Sequence, residues 1–492
     1  MRKTSTTSQT FKSFQPFESA AISTQAAWFA IATLGVFIVI CLITKAGIIL
    51  RLGFPIVSFM TGVFLFRNFP AYYIGFSWWI WIITPFLARL IDYQTIWDPQ
   101  RTMIVAPFLV SGISGVTLFR NLLRSNIQGN SGFLLAAGGL LYGTLVGTAS
   151  TSPMSVARAL LDWIVPVSFG YHIMWNWKFY PQFKSVLSKT FIWGILVTGS
   201  YAIFQFIVAP DWDCKWLIES AMASMGKPEP FGLRVWSTMH SAGAFASFMM
   251  SGLLILLSSQ SPLQLPATVV GYLSFLLSLV RSSWGGWVIA LLIMTSSIKM
   301  KAQIRLVALV IVIVTVMIPL SSMEPFSSVV SGRLETITDL QNDTSFNERT
   351  SDLEGYFIRA ISNPLGQGIG NVWVKQEDGT IAQQVTDNGV VDLFFTLGWL
   401  GGFPYLGGLF RLSSIVLKSQ NISHDSFMSA ARGISISFAI QIIFANSLIG
   451  VSGMLMWCFL GTVLSGDLYY RYQSELIDYS EWEEMLQEEA IS

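Results

Sequence analysis

The stretch TDNGVVDLFFTLGWLGG, Thr386 to Gly402, begins polar and turns apolar, opening a run that continues to about residue 416. Asp387 and Asn388 stand directly before that run. There they can accept hydrogen bonds from the unpaired amides of a first helical turn, and a carboxylate suits the positive end of the helix dipole. Gly398, Gly401 and Gly402 follow at the close spacing that lets membrane helices approach one another. The run at 389–416 is long enough to cross the ~30 Å hydrocarbon core of a bilayer as a helix. Read that way, it makes the chain a membrane protein.

The rest of the chain repeats the pattern. Apolar windows of spanning length lie near 27–45, 47–66, 70–91, 103–120, 131–150, 157–176 and 189–209. Others lie near 240–258, 264–280, 282–298, 304–321, 431–448 and 450–470, which with 389–416 gives about fourteen spans. Of the 492 residues, 52% are hydrophobic and 12% charged, and the mean hydropathy is +0.57, a composition that leaves no solvated surface for a soluble domain. The expected fold class is an all-α polytopic membrane protein.

With residues 1–26 as a cytoplasmic tail, alternation of the spans sends Arg120, Arg124, Lys178, Lys184, Lys189, Lys299, Lys301, Arg305, Lys418 and Arg432 to the cytoplasmic face. That is the positive-inside asymmetry. The same alternation places two long loops outside, 210–239 between spans and 322–388 before the last three spans, which occupy 389–470. The first eleven spans then occupy 27–321, and residues 471–492 form a second cytoplasmic tail. From Gln473 to Ser492 this tail holds seven acids and no base, and reads either as a short amphipathic helix or as a solvated end.

A net charge of +1, with no dense basic face, excludes nucleic acid as a partner. Cys41, Cys214 and Cys458 are too far apart in sequence to suggest a disulfide framework or a zinc site. Of the three histidines, His172 and His424 fall on the cytoplasmic side and His240 outside, so no histidine metal cluster is expected. His240, at a helix start, reads either as a general base or as a hydrogen-bonded structural histidine.

The candidate chemistry lies on the outer face. Arg281 in SLVRSSWGGWVIALL, Arg234 in FGLRVWSTMHSAG and Arg349 in FNERTSDLEGYF all fall there, against the positive-inside bias. One reading is local: Arg281 snorkels and Arg349 pairs with Glu348, Asp352 or Glu354. The other is a bound anion, since guanidinium groups grip phosphate oxygens through paired donors. NPLGQGIGN, Asn363 to Asn371, spaces its glycines as G-x-G-x-G, which is not the dinucleotide fingerprint. It reads as a tight turn sending the loop back to the membrane. Asp387 reads either as a cap or as a carboxylate that takes a proton from an attacking hydroxyl.

From Arg281 to Gly402 the order of these features resembles the O-antigen ligase and polymerase family of bacterial membrane glycosyltransferases. RSSWGGWVIALL, then ERTSDLEGYFIRAISNPLGQGIG, then DNGVVDLFFTLGWLGG carry the resemblance. LRVWSTMHSAGAFASF is also similar, less specifically, to the family's arginine-containing entry into the preceding helix. In the ligases the last segment reads histidine, a polar residue, nine residues, then Gly-x-x-Gly; Asn388, the gap and Gly398 to Gly401 match. Asp387 stands where the ligases have histidine, which favours the polymerase branch.

The resemblance implies a GT-C-like fold in the bacterial inner membrane, both termini cytoplasmic, with the large periplasmic loop before the twelfth helix. It implies transfer of a glycan from undecaprenyl pyrophosphate to a sugar hydroxyl of a lipid-linked repeat unit, inverting, with no metal and no cofactor. Donor and acceptor are then lipid-linked oligosaccharides in the bilayer, and a polysaccharide co-polymerase that regulates chain length is the candidate protein partner. In this scheme Arg281 and Arg349 hold the pyrophosphate, Arg234 assists, Asp387 orients or deprotonates the acceptor, and His240 and Asn388 contact substrate. Ligation to lipid A core and flipping of a lipid-linked oligosaccharide are the competing readings.

Overall fold

The computed structural model describes residues 24–124, 127–220, 222–296, 303–304, 311, 357–358, 360, 362–371, 373–375, 381–383 and 388–491. Arg349, Asp387, the window at 304–321 and most of the loop at 322–388 lie outside them. The described residues are almost wholly helical, with one two-stranded antiparallel pair, Trp373–Lys375 (β1) with Ile381–Gln383 (β2). In chain order the helices are α1 (Thr24–Ile43), α2 (Gly47–Asn68), α3 (Pro70–Gln94), α4 (Val105–Gly112), α5 (Gly115–Asn121), α6 (Asn130–Ser150), α7 (Pro153–Trp175) and α8 (Tyr180–Val208). They continue with α9 (Asp211–Ser220), α10 (Ala242–Ser258), α11 (Gln264–Leu277), α12 (Arg281–Thr295), α13 (Gly389–Lys418), α14 (Ser426–Gln441) and α15 (Gly450–Ile491).

Among the described residues, eight helical segments are long and apolar enough to cross a bilayer, and α10 and α11 are shorter apolar helices beside them. The protein is thus a multi-pass helical membrane protein, as its composition requires. In hydrocarbon only helices and closed barrels satisfy every backbone group internally, and continuous apolar runs of about 20 residues select the helix.

The connecting segments gather at two opposite ends of the bundle. At one end Arg51 pairs with Asp92 at 2.8 Å, the Ser150 hydroxyl donates to Gln367 O at 3.2 Å, and Asn388 Nδ2 donates to Ile443 O at 2.8 Å. At the other end the Asp425 carboxylate takes Lys184 Nζ at 2.9 Å and the Tyr180 and Tyr470 hydroxyls at 2.8 and 2.9 Å. The described residues 362–371 and Asn388 of the second long loop lie at the first end.

Three elements depart from the windows. Residues 103–120 are a 3-10 turn followed by α4 and α5, because the buried Tyr73 hydroxyl donates to the carbonyls of Val110 and Ser111 and accepts from Ser114 N, holding a break open. The window at 431–448 is displaced: α14 starts at Ser426, capped by Asp425 accepting from Phe427 N at 2.9 Å, and ends at Gln441. The last helix runs on to Ile491, through the acidic segment set apart as a tail from 471. Glu, Gln, Leu and Met are strong helix formers, so a span can continue into water without a break.

The core that matters for the site is the pairing of α6 with α13. A Cβ on Gly139 would lie 2.4 Å from Gly401 O, and one on Gly408 would lie 2.4 Å from Gly132 O. These glycines let two backbones touch, as expected for Gly401. Gly398 is different. At φ 61° and ψ −167° it interrupts α13, a conformation that an L side chain rarely adopts.

Candidate functional site

The interruption at Gly398 receives the turn at 363–371. Trp399 N donates to Pro364 O at 2.8 Å, Gln367 N to Phe395 O at 2.9 Å and Gly368 N to Thr396 O at 2.9 Å. The same turn lies against the end of α6 and the start of α7. Ile369 N donates to Gly143 O at 2.9 Å, and a Cβ on Gly147 would meet Ile369 O at 2.1 Å. Gly366, Gly368 and Gly370 have φ of 74°, 84° and 94°, so the chain can wind through the left-handed region at every second residue and face its amides into α13 and α6. The NPLGQGIGN segment is therefore the tight turn read from sequence. It docks on the helix that begins at Asn388.

Asn388 caps that helix: its Oδ1 accepts from Val390 N at 3.0 Å and Val391 N at 3.1 Å. Its amide also donates to Ile443 O, and Gly389 N donates to Ile442 O at 2.9 Å, which ties the entry of α13 to the exit of α14. One turn on, Asp392 accepts from Asn446 Nδ2 at 2.8 Å. Asn388 and Asp392 share a helix face by their spacing.

Arg234 and Arg281 are brought to a common region. Arg234 Nε donates to Ser278 O at 2.8 Å, three residues before Arg281, which opens the first turn of α12 half-buried. Two devices hold the segment bearing Arg234. Gly226, at φ 86°, bridges to Leu233, and Arg234 N donates to Met225 O at 3.0 Å.

His240 has other neighbours. The segment 235–240 is fixed from below by charged and amide groups of α3, α8 and α9. Arg89 Nε meets Asp213 Oδ1 at 2.7 Å as an ion pair, with the two side chains 1% and 0% exposed. Arg89 also donates to Met239 O at 2.5 Å and to Ser237 O. Asp213 accepts from Gln205 Nε2 at 2.7 Å and from the Tyr201 hydroxyl at 2.8 Å, and Gln205 Oε1 accepts from Trp236 N and Ser237 N at 3.0 and 2.9 Å. Ser237 is held at φ 55° by this network.

Immediately beyond it His240 is open to solvent, and Ser241, not His240, caps α10 by accepting from Ala244 N at 3.2 Å. Protein crowded around the exposed ring limits its hydration, and the charges of Arg89 and Arg101 add to this, lowering the imidazole to about 4. A neutral imidazole at pH 7 can donate one hydrogen bond and accept another. So weak a base is poorly matched to proton abstraction.

Arg101 is a cation that sequence reasoning did not single out. It sits at φ 54° with its guanidinium 4.1 Å from the Trp97 ring centroid and 5.7 Å from that of Trp216. The turn before it is set by Asp98, whose carboxylate accepts from Gln100 N at 3.0 Å and Thr102 N at 2.8 Å. Burial pushes the Asp98 carboxyl up, but these amides and Arg51 outweigh it and hold it below the usual range. Arg158 of α7 donates to Gln100 O at 3.3 Å, joining this turn to the helix on which the 363–371 turn rests.

Arg89 and Asp392 did carry a signal, since an ionisable residue inside an apolar window is a functional candidate by default. Arg101 lies in a polar connection with no periodicity, and only its neighbours in space give it meaning. Among the described residues no group of three or more His, Cys, Asp or Glu side chains is gathered as a metal site would be. No family model matches the chain, and no curated protein does.

Proposed function

We propose that the protein is a membrane glycosyltransferase that lengthens an O-antigen or exopolysaccharide chain, moving a glycan from undecaprenyl pyrophosphate to a hydroxyl of a lipid-linked repeat unit. The observation that carries the reading is the union of NPLGQGIGN with DNGVVDLFFTLGWLGG: two segments singled out separately in sequence interlock through three backbone hydrogen bonds at Gly398. Such interlocking holds the first half of α13 in place, and the bonds from Asn388 and Gly389 to the end of α14 fix its entry, which is what a reacting carboxylate beside it needs.

In this scheme the acceptor oxygen attacks the anomeric carbon, the bond from that carbon to the pyrophosphate oxygen breaks, and the acceptor's proton passes to Asp387. The lipid pyrophosphate leaves with the bonding electrons. Arg281 and Arg349 neutralise the charge growing on it, with Arg234 beside Arg281. His240, neutral, contacts sugar hydroxyls rather than acting as base, and Asp392 holds the segment at 442–449 through Asn446. The reading carries with it a GT-C-like bundle of about fourteen spans, the large loop on the periplasmic side and both termini in the cytoplasm.

The experiment is incubation of purified protein with short lipid-linked repeat units, without nucleotide sugar and with chelator present, followed by sizing of the products. A ladder of longer lipid-linked glycans is expected, absent in Arg281→Ala and Arg349→Ala proteins that still elute as folded. Unchanged substrate would overturn the polymerase; product appearing only when lipid A core is supplied would make the protein a ligase.

A further inference from the structure

At the end of the bundle opposite the candidate site, a cavity of about 840 Å³ opens between the start of α6, the last turns of α13 and α15. Among the described residues its cations are Arg411, Lys418 and Arg471, and no acid lines it. Arg411 and Lys418 are seven residues apart with Ser414 and Ile415 between them, a spacing that puts all four on one stripe of α13. Arg471 is committed: it pairs with Asp467 at 2.7 Å and donates to Gln128 Oε1, which fixes it as part of the wall. Arg411 and Lys418 are exposed, and neither side chain has a hydrogen-bond or ion-pair partner among the described residues.

The cavity is apolar on one flank, where Phe410 is 75% and Leu134 40% exposed on helices that span the bilayer. An occupant therefore has to present negative charge to Arg411 and Lys418 and hydrocarbon to Phe410 and Leu134. Free phosphate satisfies the first requirement and not the second, and a zwitterionic lipid brings no net charge. We infer that this cavity binds the headgroup of an anionic glycerophospholipid, with its acyl chains along Phe410 and Leu134. It lies on the face that the positive-inside asymmetry assigns to the cytoplasm, where anionic lipid meets basic pockets between helices. The inference does not depend on the proposed transferase activity.

The test is native mass spectrometry of the full-length protein released from mild detergent after incubation with phosphatidylglycerol or with phosphatidylcholine of the same chains. One retained phosphatidylglycerol per chain is expected, in clear excess over phosphatidylcholine. An Arg411→Gln/Lys418→Gln protein should bind phosphatidylglycerol roughly thirtyfold more weakly, because each cation facing anionic lipid contributes about fivefold. An Arg120→Gln/Arg124→Gln protein, which loses the same charge outside the cavity, should bind as the wild type does. Excess inorganic phosphate should leave the lipid in place. Equal retention of the two lipids, an equal loss in the Arg120/Arg124 protein, or displacement by phosphate would each overturn the inference, the last by showing a site for a free anion.

Discussion

Removal of the charge on Asp213 isolates the device that holds His240 in place. At 2.7 Å the attraction between Arg89 and Asp213 is about 6 kcal/mol at an effective dielectric of about 20, and desolvation of two almost fully buried side chains offsets much of it. Losing one partner is a different matter, because the other remains buried and unpaired. Asp213→Asn is therefore expected to destabilise the protein by about 3–5 kcal/mol, and Arg89→Met by a similar amount. With an unfolding entropy of about 2 cal/mol/K per residue over 492 residues, that is a drop of about 3–5 °C in Tm if the chain unfolds cooperatively.

The double variant Arg89→Met/Asp213→Asn removes both charges, while the amide carbonyl that replaces the carboxylate can still accept from Tyr201 and Gln205. It should recover most of the loss, and thermal unfolding of the four proteins in one detergent gives the coupling directly. The double variant also lacks the hydrogen bonds from Arg89 to the carbonyls of Ser237 and Met239, so glycan transfer should fall even where stability returns. If the double variant is as unstable as the two single losses added together, the pair is not a coupled buried unit and the account of the 235–240 segment fails.

Gly398→Ala should cost several kcal/mol and abolish the docking of the 363–371 turn, since its Cβ would lie 2.4 Å from the Leu365 carbonyl carbon in a left-handed backbone, whereas Gly407→Ala meets nothing within 4 Å. Protease accessibility of the turn reads this, and a Gly398→Ala protein as resistant as the wild type would refute it. Asn388→Ala should cost about 1 kcal/mol through the lost cap; Asn388→Asp, which can still accept from Val390 N and Val391 N, should retain most of that. Identical melting of the two would remove the capping role. The folded pKa of His240, at about 4, lies below its unfolded value near 6.5, so the unfolded chain binds the extra proton first and stability falls as the pH drops from about 6.5 towards 4. His240→Gln should flatten the dependence of Tm on pH across that window, and an unchanged slope would show that another group titrates there.

Composition and hydropathy alone fixed the membrane, the helices and the two-sided distribution of connections, because in hydrocarbon only helices and closed barrels satisfy their peptide groups, and continuous apolar runs of about 20 residues exclude the alternating strands of a barrel. The cap at Asn388 and the close packing at Gly401 were equally legible, each being a local rule about a side chain and its own backbone or a near neighbour. Gly398 was not: its spacing suggested helix packing, and only the arrival of Pro364, Leu365 and Gly366 from another part of the chain explains why the helix breaks there. Likewise, Arg89, Asp213 and Gln205 come from three helices, and Arg101 meets Trp216 across more than a hundred residues. Such partners share no period or spacing in sequence. Tertiary structure alone decides which charges meet, because electrostatic energy depends on distance in space and on the water excluded between the groups.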